Sequence, residues 1–333
     1  MGPHTARRGY SAEATGGGVR TEPPLTSDDA SLRGVCPACA CSVAPPPVAP
    51  GSALRPCPAC GTLFVADVPS EADLAAYYNS AYAVVPGDIS EARSAAWSDL
   101  IACAERYVDR GRALEVGSSS GHFLRLLEGR GWRAAGVELD DRAREVHARR
   151  SPSIPAYAGL VDAREGGWDG LDLMVALHTI EHLRDARGFL RLAHERLRGG
   201  GVLMLTTPNG GSIVRWLAGA QWEWWTPPAH LALFTPAGLM LALRDCGFEV
   251  LEVRTRRGDA NGTASNVVLG PLRAMKRRTR GTERQAISER SAGRRLSGII
   301  DGVFDPLTGP LRRRAYASLL GPELIVIART VAA

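Results

Sequence analysis

The sequence predicts an α/β fold, a mostly parallel sheet wound by helices and preceded by a small cysteine-rich module. Three observations carry this. From Arg112 onward, short apolar runs alternate with amphipathic helical stretches. Upstream, four cysteines stand as two CxxC pairs, Cys36/Cys39 and Cys57/Cys60. Near the end, "ELIVIAR" supplies one more strand after a long basic insert.

Taken in order, residues 1–34 are rich in Gly, Pro, Ser and Thr and read as a disordered leader. Residues 35–66 hold the CxxC pairs around the Pro-rich loop "APPPVAPG". Residues 67–110 read as a helical cover. Ser70 is placed to cap its first helix, and Trp97, Leu100, Ile101, Ala104 and Val108 share one face of its second. Residues 111–333 form the alternating region. "RALEV", "RAAGVEL", "LDLMVAL", "VLMLTT", "EVLEVRT" and "ELIVIAR" are its strands. "GHFLRLLEGRG", "DDRAREVHARR", "DARGFLRLAHERLRGGG" and "TPAGLMLALRDCGFEV" are its helices. The insert, about residues 262–320, reads as helical, and no internal repeat is present.

Composition narrows the class. The chain has 333 residues, 45% of them hydrophobic, enough for a core. No run reaches the roughly 18 apolar residues of a membrane span. The first residues lack the apolar segment of a signal peptide. Paired CxxC units suit metal in a reducing compartment, so a soluble cytoplasmic protein is expected. Cys103 and Cys246 read as buried thiols. The net charge is +5, but residues 270–314 hold 12 Lys/Arg and 4 Asp/Glu, a net of +8, which leaves −3 elsewhere. The basic pI therefore describes one segment and does not make the whole chain a polyanion binder.

Two loops have the look of a nucleoside site. In "LEVGSSSGHFL", Glu115 ends a strand, Gly117 allows a tight turn and a helix opens at Gly121. The GxGxxG of dinucleotide sites is absent. Glu138 ends the next strand, 17 residues after Gly121, where a carboxylate can accept both hydroxyls of a ribose. The plainer explanations are an ordinary strand–helix turn and a helix-start acid favoured by the dipole.

"ALHTIEHLRD" raises a sharper question, with His178, Glu181 and His182 at the end of a buried strand. Three readings are open. A neutral histidine can take a proton from a hydroxyl. His178, Glu181, His182 and the distant His230 can bind a divalent ion that acidifies that hydroxyl. Or Glu181 and His182 only cap and orient the loop. The two CxxC pairs, with 17 residues between them, suit a closed tetrahedral Zn²⁺ site at Cys36, Cys39, Cys57 and Cys60. Cys41 beside them is a substitute ligand or a bystander. Trp216, Trp222, Trp224 and Trp225, with Tyr77, Tyr78 and Tyr82, offer either a sugar-like ligand surface or a packing cluster. The insert reads as a grip on phosphate, RNA or an anionic membrane, or as a solvated helical lid or homodimer arm.

These residues also carry a resemblance. GxxxG with an acid two positions before it resembles motif I of class I S-adenosylmethionine-dependent methyltransferases, with Ser119 at the family's middle glycine. "LDLMVALHTIEHLRD" and "LRLAHERLRGGGVLMLTTPN" resemble the ubiquinone-biosynthesis O-methyltransferase branch at Asp172, Glu181, His182, Gly200, Gly201, Pro208 and Asn209. "PPAHLALFTPAGLMLALRDCGFEV" matches the same branch at His230, Phe234, Thr235, Gly247 and Phe248. A zinc ribbon leading into "YYNSAY" resembles a bacterial group tied to sugar, polysaccharide and natural-product tailoring. The longer sugar C-methyltransferases of that group carry an extra C-terminal domain that is not expected in a sequence of this length, so sugar C-methylation is not the expected reaction. Small-RNA 2′-O-methyltransferases of the branch use a Glu/Glu/His/His metal set; His178 stands at its first Glu, which points to a softer ion or none.

The resemblance implies a Rossmann-like, seven-stranded sheet whose last strand is antiparallel. It implies a cofactor bed of Glu115, Gly117, Ser119, Gly121, Glu138 and Asp162, and an acceptor side of His178, Glu181, His182 and His230. The expected reaction moves a methyl from S-adenosylmethionine to a hydroxyl of a small molecule or sugar, as secondary metabolism does. Two rivals stand beside it: an RNA methyltransferase that uses the zinc ribbon and basic insert, and a non-catalytic cofactor-binding scaffold.

Overall fold

Two short strands, β1 (Leu54–Pro56) and β2 (Leu63–Val65), open the computed structural model. Helices α1 (Glu71–Ala81) and α2 (Glu91–Ala104) follow. The structure describes residues 32–43, 54–81, 89–218, 222, 224–256 and 319–331. Nearly all of the leader, the Pro-rich loop, Tyr82 and the basic insert up to residue 318 lie outside the described residues, as does the side chain of Tyr78.

Strand and helix then alternate. The elements are β3 (Arg112–Val116), α3 (His122–Gly129), β4 (Arg133–Val137), α4 (Asp141–Arg150), β5 (Ala156–Tyr157), α5 (Leu160–Glu165) and β6 (Leu171–Leu177). After a 3-10 turn at Ile180–His182 come α6 (Ala186–Arg196), β7 (Leu197–Pro208), α7 (Ile213–Ala218), β8 (Ala232–Leu233), α8 (Pro236–Asp245), β9 (Phe248–Arg256) and β10 (Glu323–Thr330). Among the described residues, seven strands pair in the order β5-β4-β3-β6-β7-β10-β9. The pairs from β5 to β7 are parallel, and β10 runs antiparallel to both β7 and β9. The two-residue β5 is too short to leave a periodic signal, and the sequence did not predict it.

The strand period divides the core. Leu173 and Val175 face one cluster with Leu100 and Ile101 of α2 and Phe123, Leu124 and Leu127 of α3. Met174 and Ala176 face the other, with Phe189 and Leu190 of α6 and Leu239 and Leu243 of α8. Both faces of β6 are therefore covered, which is why it reads as a continuous apolar run. Each such Val, Leu, Ile, Met or Phe side chain contributes about 1.5–3 kcal/mol on burial. Ser90, not a core residue, starts α2 by accepting the Arg93 N–H at 3.2 Å, a cap that stabilises by about 1 kcal/mol.

Several motif residues turn out to be braces. Asp172 accepts from Arg112 N at 2.7 Å and Arg198 Nε at 2.5 Å, tying β3, β6 and β7 at their amino ends. Buried Asn209 donates to the carbonyls of Leu319 and Gly321 at 2.9 and 2.7 Å and accepts from Gly211 N at 2.9 Å. It thereby fixes the chain where it re-enters the sheet before β10. The strand order reverses between β3 and β6, and the carboxyl ends flanking such a switch point form a ligand crevice. The loops after these two strands are those carrying Gly117 and His178.

Candidate active site

The loop after β3 is shaped by left-handed backbone. Gly117, Ser119 and Gly121 have φ of 78, 47 and 77°. A Cβ on Gly117 would lie 2.4 Å from Thr179 Oγ1, and one on Gly121 2.1 Å from His147 Nδ1, so both need glycine twice over. Ser119 takes up the same left-handed region at a cost of about 1–2 kcal/mol. Its N–H donates to Glu138 Oε2 at 2.8 Å, while Asp140 N–H donates to Oε1 at 2.9 Å. Glu138 is thus held at the loop from the end of β4.

Glu115 is buried, and its Oε2 has no hydrogen-bond partner among the described residues; Ser118 Oγ has none either. Burial and then the nearby Glu138 push the Glu115 carboxyl well above its usual range. Two orphaned polar atoms beside a glycine cradle fit a polar ligand. Asp162 is exposed in the first turn of α5.

The loop after β6 is a charge network. His178 has φ 50° and its ring stacks on Trp224, centroids 5.2 Å apart. One ring nitrogen lies 3.3 Å from Glu181 Oε1 and the other 3.1 Å from Glu323 Oε1. Arg256 closes on Glu323 from β9 through two bonds of 3.0 and 2.9 Å, and Thr207 donates to Glu181 at 3.0 Å. Burial alone would lower the His178 pKa, but the two carboxylates outweigh it and raise it to about 10. Burial likewise works against Glu181, yet the hydrogen bond and charge of His178 hold its pKa to about 2. The alternation Arg256, Glu323, His178, Glu181 is neutral in sum, which is how buried charge is tolerated. Both ring nitrogens of His178 face carboxylates, which favour its protonated form over a neutral base.

His182 and His230 are held differently. Each directs Nδ1 to a backbone carbonyl, His182 to Ala229 and His230 to Trp224, both at 2.7 Å. A carbonyl only accepts, so in the neutral ring Nδ1 carries the proton and the lone pair lies on Nε2. Burial, then the neighbouring His182, lowers the His230 pKa to about 4. The rings meet edge-on, centroids 4.8 Å apart. Glu181, His182 and His230 each offer a ligand atom within 4.8 Å of the others; His178 is not in that set. Thr179 joins the two loops, donating to Val116 O at 3.1 Å beside Gly117.

Residues 89–253 match the model of a family described as a methyltransferase domain. Residues 89–253 therefore carry a methyltransferase domain. No curated protein matches the chain. Among solved structures it is similar to an S-adenosylmethionine-dependent methyltransferase from Archaeoglobus fulgidus, at 16% identity over 72% of this chain and 94% of that one, TM-score 0.45. Another, from Clostridium acetobutylicum, shows 10% identity over 78% and 99%, TM-score 0.44. A third, from Mesorhizobium loti, shows 17% over 71% and 97%, TM-score 0.42. Among the described residues no helix is long and apolar enough to cross a membrane.

Ahead of the methyltransferase domain, Cys36, Cys39, Cys57 and Cys60 converge, their sulfurs all within 4.8 Å of one another. Cys36–Cys60 and Cys39–Cys57 separations are 3.6 and 3.5 Å, near the edge of about 3.8 Å that a tetrahedron with Zn–S bonds of about 2.3 Å requires. The two turns repeat one geometry. Ala40 N–H and Gly61 N–H return to the carbonyls of Cys36 and Cys57 at 2.9 and 2.8 Å, and both residues have positive φ. Burial opposes ionisation of Cys57, but the backbone N–H groups of Cys60 and Ala59 bring its pKa down to about 7. All four thiols are free, and the donor set fits a zinc ion. Cys41 points to Ser42 O, outside the quartet.

The aromatic residues divide. Trp222 is buried in a cluster with Leu63, Val65 and Leu231, Trp224 and Trp225 pack against it, and Trp216 is exposed. Thr179, Thr207, Arg256 and Glu323 were missed by sequence reasoning. Only Glu323 left a signal, as an acid opening an otherwise apolar strand that had to be buried.

Proposed function

We propose that this methyltransferase domain transfers a methyl group to a hydroxyl of a small molecule or sugar in natural-product or glycan biosynthesis. S-adenosylmethionine, when bound, supplies the electrophilic methyl. On this reading Gly117, Ser119 and Gly121 let the backbone approach the cofactor. Glu138 takes the ribose hydroxyls, Glu115 answers a polar group of the cofactor, and Asp162 stands near the adenine. Methyl transfer is an in-line displacement, so the chain's main tasks are alignment and acceptance of one proton.

The observation that carries the acceptor-side reading is the pair of histidines locked by Nδ1 to carbonyls beside anionic Glu181. His230, kept neutral by burial, and His182 present Nε2 lone pairs as proton acceptors. Glu181 stabilises the imidazolium that forms. His178 sets the position of Glu181. A structural zinc at the four cysteines completes the reading. A metal-assisted version of the same reaction is supported by the convergence of Glu181, His182 and His230. Two imidazoles and one carboxylate favour a borderline ion over Mg²⁺. Metal counting separates the versions: one ion per chain for the base version, two for the metal version, with Glu181→Ala losing the second.

The acceptor is tested by incubation with methyl-labelled S-adenosylmethionine and separated extract fractions. Label in small molecules or glycans supports the reading. Label confined to RNA sinks it.

A further inference from the structure

The cysteine module reaches into the acceptor corner through backbone. β2 pairs antiparallel with β8, Leu63 opposite Leu233 and Phe64 opposite Ala232. Val65 N–H donates to Leu231 O at 2.9 Å, and Leu231 N–H donates to Glu181 O at 2.8 Å. Leu231 therefore spans the gap between the module and the Glu181 turn, and His230 is its immediate neighbour. The cysteine turns are fastened to the same segment and to α6. Thr235 Oγ1 donates to Cys60 O at 2.8 Å, and Arg187 Nη1 donates to Ala38 O at 2.8 Å. A Cβ on Gly238 would come within 2.2 Å of Thr62 Oγ1 and 3.2 Å of Ala38 Cβ.

This three-stranded sheet is small, with β1 and β2 of three residues each and β8 of two. Pairing so short does not hold itself, and a module of this size needs a metal to close its turns. The cofactor loop, by contrast, hangs on β3 and β4, which exchange no hydrogen bonds with β1, β2 or β8.

We propose that the cysteine module is the positioning element of the acceptor site: its metal-closed turns, through β2 and Leu231, hold His230 against Glu181 and His182. Thr62, Val65, Leu231 and Thr235 are then positioning residues, which act through His230 and not on the reacting atoms. The inference rests on the acceptor-side reading above, in that it gives the held residues their chemical meaning. Metal occupancy would set the acceptor geometry and leave the cofactor bed standing.

Hydrogen exchange on the full chain tests this with no acceptor present, so its result is separate from the hydroxyl-transfer reading. Cys39→Ser is one perturbation. A chelator added to the folded wild type is the other, and it keeps the test open if the variant does not fold. Protection of residues 230–235 and of the Glu181 turn should fall about tenfold or more, as for a local opening. S-adenosylhomocysteine affinity should change by less than about twofold, and zinc alone should restore the protection. Unchanged protection at 230–235 after metal loss overturns the proposal. So does a parallel collapse of protection in β3 and β4 with loss of S-adenosylhomocysteine binding.

Discussion

The glycine loop after β3 and the charged corner after β6 stand at the carboxyl ends of neighbouring strands, and they are built by opposite means. The first is local. One strand, one turn and one helix start make it, and its shape comes from backbone angles at Gly117, Ser119 and Gly121. The second gathers residues 178–182, 207, 229–231, 256 and 323, and its shape comes from buried side-chain charge. A site made by backbone is robust to everything except a change of Cβ. A site made by a charge chain is sensitive to each of its links.

His230→Ala should break the second region alone. Loss of a positioned base lowers the rate by about 10²- to 10⁴-fold, so transfer should collapse while calorimetric cofactor affinity stays within about twofold. A parallel loss of cofactor binding would mean the two regions are not separate. The converse is Glu138→Ala. It removes charge-assisted hydrogen bonds of about 1.5–3 kcal/mol, so the cofactor Kd should rise about 10- to 100-fold. Exchange protection at 230–235 should not move.

Glu323→Gln sharpens the electrostatic half. The pKa of His178 is raised to about 10, above its usual value near 6.5. Its stabilising contribution is therefore fully present below about 6.5 and is lost as pH rises toward 10. With a neutral amide at 323 the folded pKa falls, so the alkaline decline in Tm, which starts at about pH 6.5 in both, should be smaller and end at lower pH than in the wild type. His230 has the opposite sign. Its pKa is lowered to about 4, so the unfolded chain takes up the proton first and stability declines as pH falls from about 6.5 to 4. A Tm profile from acid to alkaline pH reads both limbs; identical alkaline limbs in variant and wild type would discredit the His178–Glu323 pairing. Ser119→Gly should have the smallest effect. Relief of the left-handed strain is partly offset by glycine's chain entropy, for a net gain of about 1 kcal/mol or less. A drop in Tm would mean the Ser119 side chain has a role that the backbone geometry does not explain.

How much could be read in advance differs between the regions for the same reason. Glu115, Gly117, Gly121 and Glu138 lie within 24 consecutive residues, and strand–turn–helix spacing places them without knowledge of anything distant. His178, Glu181 and His182 were visible as a cluster, but their protonation was not. It depends on Glu323, which lies 145 residues away from His178 in sequence. Asp172 and Asn209 fit a motif, yet they brace strand ends and a chain re-entry, work that a pattern of letters does not separate from chemistry. Among the aromatic residues, composition could not divide buried Trp222 from exposed Trp216.

By itself the sequence determined the alternating strands and helices, the glycine loop, the carboxylate at the end of β4 and the four-cysteine set. Each depends on periodicity, backbone permissiveness or spacing, which are properties of neighbours along the chain. The tertiary structure decided that His178 is held between two carboxylates, that His182 and His230 turn Nδ1 to backbone carbonyls, and that the cysteine module shares a sheet with the segment behind His230. Those outcomes depend on which distant carboxylates, carbonyls and strand edges come within about 3 Å, the range at which hydrogen bonds form, and in which buried charge must find its counterion.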